Sequence, residues 1–392
     1  MPYAVAASST GPAPVGSATV VVACDESGSE GEKLVGGSTD VFAHAGVLIG
    51  SDEASEVLRR VRAGTRSPAV EVKANVVLRP QNRRTLTWLL GDSGPLTGRA
   101  SVFLVDKPLL LTVRLVGLWA AGTADAERAA CDLHRVLTAD ADLAPVWAVA
   151  LDETNGLLRA RDLVTARARL ERVRAALTKV LAGLSDASDR LSGEAGTTTV
   201  ATTTLAALVA GLPASDGGPE TDTALGELTG PERSRAPLDP LEPGLVATVL
   251  RWAGPAGGGP RRPGGRSGPV ELVHDAQSSL TDDRLARVRA AVGEDVSSRV
   301  RLRFVDSQLD ARVQVADLVA GAARRLAEAA LHGRPDPGLL ELVAAHVDPT
   351  STWADERSWA LLAPPDDRRG ARATGAPVTG DAAQTALRRV TQ

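Results

Sequence analysis

Thr19-Val20-Val21-Val22-Ala23-Cys24-Asp25-Glu26-Ser27-Gly28 is a β-branched, apolar run that stops on two acids and a turn dipeptide. Such a run reads as a buried strand, and Ser-Gly marks its end. Asp25 therefore stands at the C-terminal rim of a core strand. In open α/β sheets this rim is rigid, partly desolvated and open to ligand. The bland reading of the same acid is a turn former.

Outward from this strand, Met1 to Gly16 is rich in Ala, Ser, Gly and Pro and reads as a disordered leader. Residues 18–24 and 40–49 read as strands joined across Gly36-Gly37 in a hairpin. Ser51-Asp52-Glu53 opens a helix to about Arg62. Val70 to Leu78 is β-like, Pro80 to Leu90 helical, and Ala100 to Val105 another strand. Residues 17–107 thus form a first α/β part. Residues 108–211 change to helical period, clearest over 156–184, and read as a helical insert. Residues 212–269 are Pro/Gly-rich and read as a linker interrupted by a helix at 242–253. The α/β pattern returns over 270–362, with strands at Val270–Val273 and Val300–Val305. Helices are expected there at Asp282–Val292, Ala311–Leu331 and about 337–347. Residues 363–392 read as a disordered tail. Neither α/β part completes a sheet alone, so one sheet built from both is expected, with the middle inserted as a cap.

The chain has 392 residues and a net charge of -4, which gives no global support for nucleic-acid binding. Its two cysteines, Cys24 and Cys131, make neither a disulfide framework nor a zinc pattern. No signal peptide or apolar run of membrane-spanning length is evident, so the expectation is a soluble, cytoplasmic protein with no membrane partner. Lysine is confined to Lys33, Lys73, Lys107 and Lys179, whereas arginine is abundant. Arginine clusters therefore carry less weight than the rare lysines.

Four carboxylates stand out. Asp25 ends the first strand. Glu71 shares a strand face with Lys73 in Val70-Glu71-Val72-Lys73. Asp275 ends Val270-Glu271-Leu272-Val273-His274, and Asp317 lies within Val313-Gln314-Val315-Ala316-Asp317-Leu318-Val319-Ala320-Gly321. An acid in such apolar company is an unusual surface residue. Gln314, Asp317 and Gly321 share a helix side, where Gly321 permits close approach. Singly, each acid has a structural role: turns for Asp25 and Asp275, a surface pair for Glu71 and Lys73, and a cap or a partner of Arg312 or Arg324 for Asp317. Together, carboxylates from separated elements are what Mg²⁺ or Mn²⁺ needs.

Cys24-Asp25-Glu26-Ser27-Gly28, Glu71-Val72-Lys73, Val273-His274-Asp275, Val305-Asp306-Ser307 and Gln314-Val315-Ala316-Asp317-Leu318 together resemble the bacterial domain-of-unknown-function family 3800. The matches cover roughly residues 18–107 and 269–331. The resemblance implies a ribonuclease-H-like fold and an Asp-Glu-Asp-Asp metal site of Asp25, Glu71, Asp275 and Asp317. The long helical insert and the linker depart from the compact pattern of that family.

The expected fold class is α/β, a ribonuclease-H-like mixed sheet flanked by helices with an inserted helical subdomain. The expected activity is Mg²⁺- or Mn²⁺-dependent phosphodiester hydrolysis, nuclease-like, with Lys73 assisting the four acids. Alternatives are a non-catalytic interaction module and a hydrolase of small nucleotide phosphoesters. Lys107 is a second candidate for phosphate contact, His274 for proton transfer, and Ser27 and Ser307 for hydrogen bonds to the acids. For nucleic acid, two arginine stretches qualify. One comprises Arg159, Arg161, Arg167, Arg169, Arg172 and Arg174. The other comprises Arg251, Arg261, Arg262 and Arg266. Both read equally as solvated faces. Few aromatics are present for base stacking, so backbone contact is the expected mode.

Overall fold

The computed structural model describes residues 19–364, apart from 68, 70, 121–124, 188–189, 191–194, 215–217, 230–237, 255–267 and 278. The expected leader, nearly all of the tail, Val70, Gly257–Gly259, Gly264, Gly265 and Arg261, Arg262 and Arg266 lie outside the described residues.

The strands are β1 (Val20–Ser27), β2 (Val41–Val47), β3 (Ala100–Asp106), β4 (Val270–Asp275) and β5 (Val300–Val305). They form one mixed sheet in the order β3-β2-β1-β4-β5. β2 runs antiparallel to β1 and β3, whereas β1, β4 and β5 are parallel. Both α/β parts thus contribute to one sheet. The helices before β3 are α1 (Ser51–Thr65), α2 (Ala74–Val77) and α3 (Arg83–Leu90). Between β3 and β4 lie α4 (Lys107–Trp119), α5 (Ala126–Ala139), α6 (Leu143–Leu158), α7 (Leu163–Asp186), α8 (Ala195–Gly211), α9 (Pro219–Thr229) and α10 (Leu241–Ala253). After β4 come α11 (Asp282–Val292), α12 (Glu294–Ser297), α13 (Ala311–Leu331), α14 (Pro337–Ala344) and α15 (Glu356–Leu362).

Both faces of the central strands are covered, which is why they read as continuous apolar runs rather than alternating ones. On one face Ala43, Ala45, Val47, Val102 and Leu104 pack with Val315, Val319 and Ala323 of α13. On the other, Val22, Cys24, Phe42 and Leu272 pack with Leu241, Leu245 and Val249 of α10 and with the helices of the middle region. α13 brings its backbone close to α2: a Cβ at Gly321 would lie 2.6 Å from Ala74 Cβ.

Several expected elements shift. β1 continues past Asp25 to Ser27, because Asp25, Glu26 and Ser27 still pair with Ala45, His44 and Ala43. No strand forms over the described part of residues 70–78; α2 occupies Ala74–Val77, and Lys73 is its extended N-cap. The helix read over 156–184 is two helices. Asp162 starts the second by accepting a 2.8 Å bond from the Thr165 N–H, and the two pack on each other. The largest change concerns α10, which the flanking Pro and Gly made look like part of a linker. It is a core helix against β2, β3 and α11. Its Gly244 lies on β2, where a Cβ would come within 2.9 Å of His44 Cβ. Asp239, just before α10, and Glu242 within it are buried, and α11 answers them with Arg284 (2.5 Å) and Arg287 (3.1 Å). Burying a carboxylate demands such a partner.

Replacing Gly321 by Val must push α13 away from Ala74. A loss of about 1–3 kcal/mol is expected from overpacking. Denaturant unfolding of Gly321→Val beside wild type measures it, and an unchanged midpoint would show that the contact is slack.

Candidate functional site

Strand alternation sends Asp25 to the α13 face and Glu26 to the α10 face. Asp25 is 8 % exposed, and the Glu26 N–H donates to its Oδ1 at 2.8 Å. Register pairs Cys24 with His274, so the next residues on the two parallel strands are Asp25 and Asp275. The Ser307 N–H, just beyond β5, donates to Asp275 Oδ1 at 3.0 Å. Asp317 comes from α13, which packs on β1 and β2. Lys73 Nζ lies 2.5 Å from Glu71 Oε1 and 3.1 Å from Asp317 Oδ2. The expected Glu71–Lys73 pair is therefore present, and it reaches a third residue across the fold.

The electrostatics record the convergence. Burial pushes the Asp25 carboxyl up to about 9, reinforced by Glu26, Asp317 and Asp275. Glu26 is raised to about 7 by burial, then by Asp275 and Asp239. Burial also raises Asp317, opposed by the Lys73 ammonium. Burial works against the charge on Lys73, but its bond to Glu71 and its attraction to Asp317 outweigh that and hold it above the usual range. Asp25 thus interacts with Asp275 and Asp317, and Asp317 also with Glu71, while Lys73 is the cation of Glu71 and Asp317. Among the described residues, no group of three or more His, Cys, Asp or Glu side chains stands ready to hold a metal ion.

Glu26 escaped the sequence reading, although its place beside Asp25 on a strand was a signal that acids face both ways. Its side chain is 7 % exposed. Gln277 Nε2 donates to Oε1, while Oε2 is buried without a hydrogen-bond partner, 3.7 Å from His274 Nε2. His274 is not poised to transfer a proton. It is fully buried, and burial depresses its pKa. Its Nδ1 faces the Asp275 carbonyl at 2.9 Å and so carries the hydrogen. Its Nε2 then accepts from His44 Nε2 at 3.1 Å, and His44 Nδ1 accepts from the Thr248 hydroxyl at 2.8 Å. These tautomers are assigned from the partners. The chain of neutral groups ties α10 to β2 and to the acid-bearing strand β4.

Other candidates are placed elsewhere. Lys107 is buried at the start of α4, with Glu30 at 2.8 Å, and it is not positioned for a phosphate. The Ser27 hydroxyl accepts from Arg324 Nε at 3.1 Å, and Ser307 reaches Asp275 through its backbone rather than its hydroxyl. Asp317 pairs with neither Arg312 nor Arg324, which turn to Asp310 and Glu328. Five of the six arginines of α7 and its approach are engaged within the chain. Arg161 meets Glu32, Arg167 meets Asp222, Arg169 and Arg172 share Glu153, and Arg174 donates to the Leu212 carbonyl. No described helix is long and apolar enough to cross a membrane.

No family model, no curated protein and no solved structure matches the chain.

Because Asp25 binds its proton more tightly folded than unfolded, its contribution to stability is complete below about pH 4 and is lost as pH rises towards about 9. In buffer free of divalent cations, wild type should therefore become easier to unfold across that window. Asp25→Asn should show a flatter profile and gain stability relative to wild type at pH 8. Urea midpoints at pH 5 and pH 8 test this; parallel profiles would mean that Asp25 ionises normally.

Proposed function

We propose that this protein is a divalent-cation-dependent phosphodiester hydrolase of ribonuclease-H-like type. The observation that carries the reading is the convergence of Asp25, Asp275, Asp317 and the Glu71–Lys73 pair at the C-terminal ends of parallel β1 and β4. The order β3-β2-β1-β4-β5, with β2 alone reversed, supports the ribonuclease-H-like reading of the sheet. With the motif resemblance, it supports a relationship to the domain-of-unknown-function family 3800.

The donor set fits Mg²⁺ or Mn²⁺ in chemistry, since it is all carboxylate oxygen. Asp25 and Asp317 are raised first by burial and then by neighbouring carboxylates, a repulsion that a bound cation would relieve. Asp25, Glu71, Asp275 and Asp317 would hold the cation, and loading requires them to turn from their present partners. A bound cation supplies charge neutralisation and lowers the pKa of water. The chain's own residues do the rest. The Ser307 N–H fixes the Asp275 carboxylate. Lys73, whose side chain is 55 % exposed, can leave Asp317 to meet a phosphate oxygen. The half-exposed ammonium is a compact charge suited to that contact.

A second reading has an observation of its own. Lys73 already engages both Glu71 and Asp317, and no three-ligand group is preformed among the described residues. That arrangement suits a non-catalytic module held together by its former site.

Labelled DNA, RNA and hybrid oligonucleotides, with a small phosphodiester alongside, should separate these readings. The hydrolase cleaves an oligonucleotide with Mn²⁺, and Asp317→Asn loses at least about 100-fold in rate, as expected for removing several kcal/mol of charge stabilisation. Cleavage of the small ester alone would identify a phosphoesterase instead. Mn²⁺ should also raise the melting temperature of wild type but not of Asp25→Asn; a folded wild type with no response would support the module.

A further inference from the structure

The two edges of the sheet are finished differently. Along β3, the outward groups are paired. Val102 N–H donates to His346 O (2.8 Å), Asp348 N–H to Val102 O (2.7 Å), Thr352 N–H to Leu104 O (2.9 Å), and Asp106 N–H to Thr352 O (2.9 Å). The segment after α14 thus closes that edge. β5 forms the other edge, and no strand pairs with its outer side among the described residues. Val270 N–H donates to Arg299 O and Ala276 N–H to Val305 O. Alternation then turns the backbone groups of Arg301, Arg303 and Val305 towards β4, and those of Val300, Leu302 and Phe304 outward. An open edge is a template for another strand.

The side chains of β5 specify what would fit. Val300 and Leu302 pack with the α10 side, where they help line an apolar pocket with Leu245, Val249, Leu272 and Val288. Phe304 is 39 % exposed, and Leu309, just beyond the strand, is 86 % exposed. The opposite face presents Arg301 and Arg303, both exposed. Arg303 meets Glu271 at 3.1 Å, while Arg301 makes no ion pair within 4.0 Å among the described residues. A second copy paired antiparallel would set these arginines against their equivalents, and opposed like charges destabilise a sheet.

The geometry points to β5 as a docking edge for an extended protein segment that alternates acidic and apolar residues. Main-chain bonds to Leu302 and Phe304 hold the segment. Its acids lie beside Arg301 and Arg303, and its apolar residues continue the α10-side surface next to Phe304. This mode of recognition takes affinity from the backbone and specificity from alternate side chains. It goes beyond the hydrolase reading and uses none of its acids.

Fluorescence anisotropy of the full chain with a fluorescein-labelled peptide alternating Glu and Val tests it. Saturable binding is expected. A peptide of the same composition with its Glu residues in one block should bind at least tenfold more weakly. Arg301→Glu should weaken the alternating peptide at least tenfold. Leu302→Pro removes an outward N–H without breaking the β4 ladder and should abolish binding. Arg301→Glu, a surface change, keeps the test decisive if the proline variant does not fold. No saturable binding, equal binding of both peptides, or indifference to Arg301→Glu overturns the proposal. So does a wild-type dimer formed through β5, or tighter binding of an oligonucleotide at Arg301.

Discussion

Parallel pairing of β1 with β4 is the constraint on which the rest of the structure depends. It joins residues some 250 apart in sequence, with Cys24 opposite His274. Non-local pairing of this kind must offset the entropy of closing a long loop. Burial on both faces supplies the compensation. Val22, Cys24 and Leu272 are covered by α10 and the middle helices, while Ala23 and Val273 meet Val313 of α13. Once that pairing is made, Asp25 and Asp275 have no freedom to separate. α13 adds Asp317 because its small residues let it lie close to the sheet and to α2.

The strand that carries the acids has two different environments. Towards α13 the carboxylates outnumber the nearby cation, Lys73, and burial raises the pKa of Asp25 and Asp317. Towards α10, the Thr248–His44–His274 chain is neutral and satisfied, while one Glu26 oxygen has no hydrogen-bond partner. α10 therefore does more than fill the core. It fixes the imidazoles that abut the acid-bearing ends of the strands. Such a shell restricts how those ends can move.

Charge elsewhere is mostly spent on holding helices together. Arg284 and Arg287 satisfy the buried Asp239 and Glu242 around α10, and Glu153 of α6 takes two arginines from α7. This explains how a chain so rich in arginine can carry a helical region whose basic residues face their own acids. The two arginines of β5 are different, because they stand on the one sheet edge that the described chain leaves open.

The α/β class, the five strands, the hairpin and the α13 helix were legible because apolar runs and helical periodicity are local properties of the chain. The candidate acids were legible as well, since each interrupts an apolar context: Asp25 after the run Val20–Cys24, Asp317 within Val313–Gly321. Two local signals misled. Pro and Gly around α10 suggested a linker, although a helix as predominantly apolar as Leu241–Ala253 belongs in a core. Alternation over Val70–Lys73 suggested a strand, where Lys73 instead starts a helical turn. The sequence by itself determined which residues avoid water and which acids are out of place. Only the tertiary structure decided that Lys73 serves Asp317 as well as Glu71, that Glu26 is buried beside His274, and that, among the described residues, one sheet edge is closed and the other open. Those outcomes depend on which distant surfaces meet, and pairwise electrostatics and backbone bonding exist only after they have met.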